Sequence, residues 1–207
     1  MQEAFGFMFF STLEAFSWFL LSMYIFRYKP FKYAGSALIV IFLMNLDSFI
    51  LRNELSLANY VPLINILIFV FYYAVVVKIP LIGSLIVTLA GFAGFGLIQA
   101  ALTFILFGSI EAAQSTVSNG YALQTATAIV VFIVGVVPYK LGYGISVPFE
   151  KMKFKLEEII TSILMVLFLC IISFVLYVNN LMLLVLLFAV TLGYLLYFSV
   201  MKDRSFE

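Results

Sequence analysis

Runs of about 20 apolar residues recur along the whole chain, each closed by a short polar or basic break. At 1.5 Å per residue such a run crosses the ~30 Å hydrocarbon core of a bilayer. The pattern predicts seven transmembrane helices, over about 4–26, 33–51, 61–77, 80–107, 121–139, 159–178 and 181–201. The breaks read RYKPFK, RNELSLANY, KIP, GSIEAAQSTVSNG, KLGYGISVPFEKMKFKLEE and the pair Asn179-Asn180. The last is the shortest, and taking 159–201 as one re-entrant unit would lower the count. No soluble stretch approaches the ~50 residues of a small domain. The expected architecture is therefore all-α: a polytopic membrane bundle forming a single transmembrane helical domain, 1–207.

Composition agrees with that pattern and charge orients it. Apolar residues make up 65 % of the chain and charged residues 10 %, against roughly 45–50 % and 25 % in soluble domains. With seven spans, Arg27, Lys29, Lys32, Lys78, Lys140, Lys151, Lys153, Lys155, Lys202 and Arg204 fall on one side and Arg52 alone on the other. The positive-inside rule then puts the N-terminus outside and the C-terminus in the cytoplasm. The start MQEAFGF has neither a basic n-region nor a small-residue cleavage pattern, so no removable signal peptide is expected. The chain reads as a multi-pass protein of a cell membrane.

Against this background the polar residues inside the spans stand out. An ionised side chain at the bilayer centre costs ~2.5–3.5 kcal/mol on insertion scales, so it must face the bundle interior or water. Glu14 lies about ten residues, or ~15 Å, below the outer end of the first helix. No basic residue lies at its depth. Ser11, Glu14, Trp18 and Ser22 share a face of that helix by their steps of three and four. Asp47 sits ~6 Å from the outer end of the second helix, where it is expected to pair with Arg52. Asn45, Ser48, Gln99, Thr103, Gln124, Thr125 and Thr127 also belong to outer halves. This outer bias suggests an outward-opening pocket lined by the first, second, fourth and fifth helices. Its candidate ligand-binding residues are Glu14, Trp18, Asn45, Asp47, Gln99, Thr103 and Gln124. The plainer reading makes the same groups interhelical hydrogen bonds worth ~0.6 kcal/mol each.

Two further features concern packing and the membrane surface. On the fourth helix Gly83, Ala90, Gly94 and Ala101 form a small-residue face suited to close helix contact. Between the fifth and sixth spans, Phe149, Met152 and Leu156 share a helical face, with Lys151, Lys153 and Lys155 around them. That pattern suits an interfacial helix on an anionic leaflet.

Catalysis is not expected. Histidine is absent and the only cysteine, Cys170, lies inside an apolar run, which removes Ser-His and Cys-His nucleophiles, histidine metal sites and disulfides. There is no GxSxG, HExxH or Walker sequence. No catalytic residue, metal site, cofactor or nucleic-acid partner is expected. Glu157-Glu158 stands at a helix start, where two acids suit the helix dipole.

The layout as a whole resembles a known one. Short-looped spans, an acid in the first helix, the basic break RYKPFKY, the outer FILRNELSLANYVPLINILIFVFYY and the inner KIPL are similar to the membrane sensor region of peptide-responsive histidine kinases of the accessory-gene-regulator type. That resemblance implies binding of an extracellular peptide. The sequence carries no kinase core after Met201, so phosphotransfer is not carried over.

Three readings follow. In the first, the protein is a sensor or receptor that binds an extracellular peptide or other small amphipathic ligand and signals through a membrane or kinase partner or as a homodimer. The second is a small transporter or substrate-capture subunit using Glu14. The third is a structural or immunity-type membrane partner.

Overall fold

A computed structural model describes residues 2–53 and 58–146. The predicted sixth and seventh spans and the basic segment containing Lys151, Lys153 and Lys155 lie outside these residues. Within them the structure is helical: α1 (Gln2–Ile25), α2 (Ala34–Asn53), α3 (Val61–Tyr72), α4 (Leu81–Phe107), α5 (Ile110–Gln114) and α6 (Val117–Lys140). Four stretches are long and apolar enough to cross a membrane: Phe5–Ile25, Ala58–Val77, Leu81–Phe107 and Val117–Lys140. A shorter apolar stretch, Ala34–Phe49, lies in α2.

The chain breaks where its chemistry demands. Pro30 opens a single 3-10 turn between α1 and α2 and Pro62 lies in the first turn of α3, where a missing N–H leaves no hydrogen bond unmade. The last turn of α3 widens into a π-helical turn, Tyr73–Val77. Lys78, in the left-handed conformation at φ 66°, then stops it. Gly108 ends α4 the same way, at φ 75° with its N–H donating to the Phe104 carbonyl. The polar break after α4, expected as a loop, holds the short helix α5, whose start is capped by the Ser109 hydroxyl accepting from the Ala112 N–H. Beside that cap, Glu111 accepts from its own backbone N–H and from Ser109, which holds its carboxyl below the usual carboxylate range.

The bundle is built around α1, which packs on α2, α4 and α6, while α3 packs on α2 and α4. From Ser17 to Tyr24 every residue of α1 is buried. A helix buried all round must be apolar all round, and the stretch SWFLLSMY nearly is: its two serines donate back to main-chain carbonyls, Ser17 to Glu14 and Ser22 to Trp18. Residue pairs across the interfaces set directions. Thr12 meets Asn45 and Phe7 meets Phe49, so α1 and α2 are antiparallel. Phe10 stacks on Tyr121 and Tyr24 packs on Tyr139, so α1 and α6 run parallel. Arg27, Lys29, Lys32, Lys78 and Lys140, all exposed, thereby gather at one end of the bundle, and Arg52 at the other. The same basic end is tied together by the Ile145 N–H donating to the Ile25 carbonyl at 2.8 Å.

Between helices in lipid, association comes from packing and hydrogen bonds instead of a hydrophobic driving force. The α1–α4 contact shows how closely backbones approach. A Cβ on Gly91 would overlap the Ser22 hydroxyl and lie 3.0 Å from Ser22 Cα. The small-residue face expected from sequence is displaced by one position: Gly83, Ala90 and Gly94 are buried but Ala101 is exposed, and Gly91 makes the close contact. Outward faces of α2 and α6 carry Leu38, Ile39, Phe42, Leu43, Ile129, Phe132 and Ile133, exposed as lipid contact requires.

Gly91→Leu forces α1 and α4 apart, and a loss of about 1–3 kcal/mol is expected in unfolding of the purified protein by SDS, the usual range for overpacking. Ser22→Gly in the same chain should restore part of that loss. Equal stability of Gly91→Leu and wild type would show that the two helices do not meet here.

Candidate functional site

α1 brings Glu14 to the level of Gln99 on α4 and Gln124 on α6. The Gln99 Nε2 donates to Glu14 Oε1 at 2.6 Å and the Gln124 Nε2 donates to Glu14 Oε2 at 2.6 Å. One carboxyl group is thus held on both oxygens, from two other helices. All three side chains are part-buried. Among the described residues no cation pairs with Glu14. The centre is an acid stabilised by carboxamide donors. A carboxylate has roughly four acceptor positions, so two filled by glutamine leave capacity for further donors.

Aromatic groups bound the centre along the helix axis. One turn towards the N-terminus of α1, Phe10 and Tyr121 stack with ring centroids 4.3 Å apart. One turn towards the basic end, Trp18 packs against Phe69 at 4.4 Å and Phe92 at 5.4 Å. The buried Trp18 Nε1 and Thr127 Oγ1, each about one turn towards the basic end from a member of the centre, have no hydrogen-bond partner among the described residues. Leaving a buried donor unpaired costs ~1–3 kcal/mol.

The residues expected to form one pocket divide into separate groups. Glu14, Gln99 and Gln124 meet as described. Thr103 supports them from behind, donating to the Gln99 carbonyl at 2.8 Å. Asn45 belongs elsewhere: its Nδ2 donates to Thr12 Oγ1 at 2.9 Å. Thr12 and Glu14, two residues apart, project about 200° apart around α1, so Asn45 and the Glu14 centre lie on opposite sides of the same helix. Trp18 is one turn from Glu14 but its ring faces α3 and α4. Asp47 and Arg52 are both exposed, and no ion pair joins them. Five residues along a helix turn through about 140°, which carries the two side chains away from each other.

Two members of the polar seam escaped the sequence reading. Thr12 receives Asn45, and Asn65 on α3 accepts from the Ser48 hydroxyl at 3.4 Å. A lone Asn in the apolar span VPLINILIFVFYY was the available signal for Asn65, since an intramembrane amide needs a partner. Nothing marked Thr12, because a threonine can satisfy itself on its own helix.

Gln99→Leu and Gln124→Leu should each lower stability by about 1–2 kcal/mol, the cost of stripping a donor from a part-buried carboxyl group. The double variant should differ from the sum by about 0.5 kcal/mol or more, since both residues act on one group. Strict additivity in SDS unfolding curves would mean that Glu14 does not join them. No family model, curated protein or solved structure matches this chain.

Proposed function

We propose that the protein is a non-catalytic, receptor-like membrane protein of seven spans, N-terminus outside, whose Glu14 centre engages an extracellular peptide or similar amphipathic ligand. The observation that carries this reading is the carboxyl group of Glu14, assembled with Gln99 and Gln124 from three helices and paired with no cation among the described residues. A fold does not need an intramembrane acid, and such residues are by default functional. Trp18 Nε1 and Thr127 Oγ1 nearby, without a hydrogen-bond partner among the described residues, favour a ligand with both kinds of polar group. A peptide unit supplies an N–H for Glu14 and a carbonyl for such donors. The layout shared with peptide-responsive sensor regions supports the same ligand class, and the basic end of the bundle supports the orientation in a bacterial plasma membrane. Signal output belongs to a membrane or kinase partner.

Trp18 is the chain's only tryptophan and lies one turn from Glu14, so its emission reports on the centre directly. In lipid nanodiscs, a cationic amphipathic peptide should change Trp18 emission saturably, and Glu14→Gln should weaken that binding by about 10- to 100-fold, the loss of a hydrogen bond to a charged group. Unchanged affinity in folded Glu14→Gln would remove the centre from recognition. For orientation, single cysteines are placed by Ser115→Cys or Lys29→Cys in a Cys170→Ser background. An impermeant maleimide applied to intact cells should label the first and spare the second; the reverse pattern would invert the topology.

A further inference from the structure

The centre has a property that goes beyond ligand recognition and needs no ligand. Each carboxamide on Glu14 is both donor and acceptor, and its two ends have nearly the same shape. With Glu14 ionised, both glutamines donate N–H, as the structure shows. Once a proton forms an O–H bond on one carboxyl oxygen, that oxygen becomes a donor. The glutamine facing it then needs only to rotate its amide by half a turn to present Oε1, while the other glutamine continues to donate. All hydrogen bonds survive and no heavy atom of the backbone has to move. A lysine or arginine in place of either glutamine would hold the carboxylate alone, and a pair of backbone carbonyls would hold the acid alone. The separation of 2.6 Å on each side lies within the 2.5–3.0 Å range of O–H···O bonds and about 0.1 Å below the 2.7–3.2 Å range of N–H···O bonds, so a small change in spacing serves either arrangement.

From this geometry we infer that Glu14, Gln99 and Gln124 form a proton-binding site between α1, α4 and α6, whose empty and loaded forms share one backbone structure. The proton comes from water, and loading reduces the charge at the centre from −1 to 0. The other ionisable groups on the packed elements stand apart from the centre. α4 carries none, α2 carries the exposed Asp47 and Arg52, and α6 carries Tyr121 one turn outward with Tyr139 and Lys140 at the basic end. Lys32 in the 3-10 turn that also packs on α1 is at that same basic end.

Infrared difference spectroscopy of the ligand-free protein in nanodiscs tests the site. A carboxylic-acid C=O band should grow as pH falls, vanish in Glu14→Gln, and move without vanishing in Gln99→Leu or Gln124→Leu, where one hydrogen bond is lost. The helical amide band should stay constant through the titration. Absence of any acid band that Glu14→Gln removes, across the pH range in which wild type stays folded, overturns the inference, and the band shifts in Gln99→Leu and Gln124→Leu assign the band even where Glu14→Gln does not fold. A response to sodium at fixed pH, in place of protons, would make the site a metal-cation site and overturn it as well. An amide-band change accompanying the titration would refute the shared backbone. Because no ligand is added, failure here leaves the receptor reading standing, and failure of the Trp18 peptide titration leaves this inference standing.

Discussion

An acid placed inside a membrane bundle has to have its oxygens occupied, and at Glu14 that requirement is met by side chains from two other helices. The consequence is geometric. Gln99 and Gln124 reach the carboxyl group only if α4 runs antiparallel and α6 parallel to α1 at one matched depth, so a single polar centre constrains the rotation and register of three helices. Apolar packing cannot do this alone, because lipid tails solvate a leucine as well as another leucine does. The hydrogen-bonded centre discriminates between registers that packing leaves close in energy.

Towards the basic end from that centre the bundle changes character. From Ser17 to Tyr24 α1 is enclosed on every side, with Gly91 allowing α4 to touch Ser22 and a chain of aromatic contacts running Trp18, Phe69, Tyr73 and Phe19. Towards the N-terminus of α1 the helix is looser, with Phe5 and Phe9 exposed. The polar centre therefore stands at the boundary between a tight half at the basic end and a more open half at the other. That placement, together with Trp18 Nε1 and Thr127 Oγ1, which have no hydrogen-bond partner among the described residues, is what the proposed receptor-like reading draws on.

The other polar pairs hold the periphery. Asn45 with Thr12 joins α2 to α1, Ser48 with Asn65 joins α2 to α3, and at the basic end Tyr72 donates to the Tyr33 carbonyl and shares a hydrogen bond with Ser36. These are satisfied contacts of the kind a bundle needs, each joining two helices. The Glu14 centre differs in joining three and in presenting a group that can change charge.

The apolar periodicity by itself determined the helical class and, within a few residues, the limits of the four described helices long and apolar enough to cross a membrane, because span length is set by the thickness of hydrocarbon and the breaks by proline, glycine and charge. It also singled out Glu14, Gln99 and Gln124, since each is costly in lipid unless paired. What it left open was which of these groups meet. Residues at equal depth lie on helices whose rotation about their own axes has no local determinant, so Asn45 was grouped with Glu14 although two residues of α1 turn Thr12, its actual partner, to the opposite side. The same blindness to rotation put the close α1–α4 contact one residue away from Gly91 and joined Asp47 to Arg52 across a helix that separates them. Only the packed bundle, by deciding which face each helix turns toward α1, converts a set of outer-half polar residues into one carboxyl group held between two glutamines.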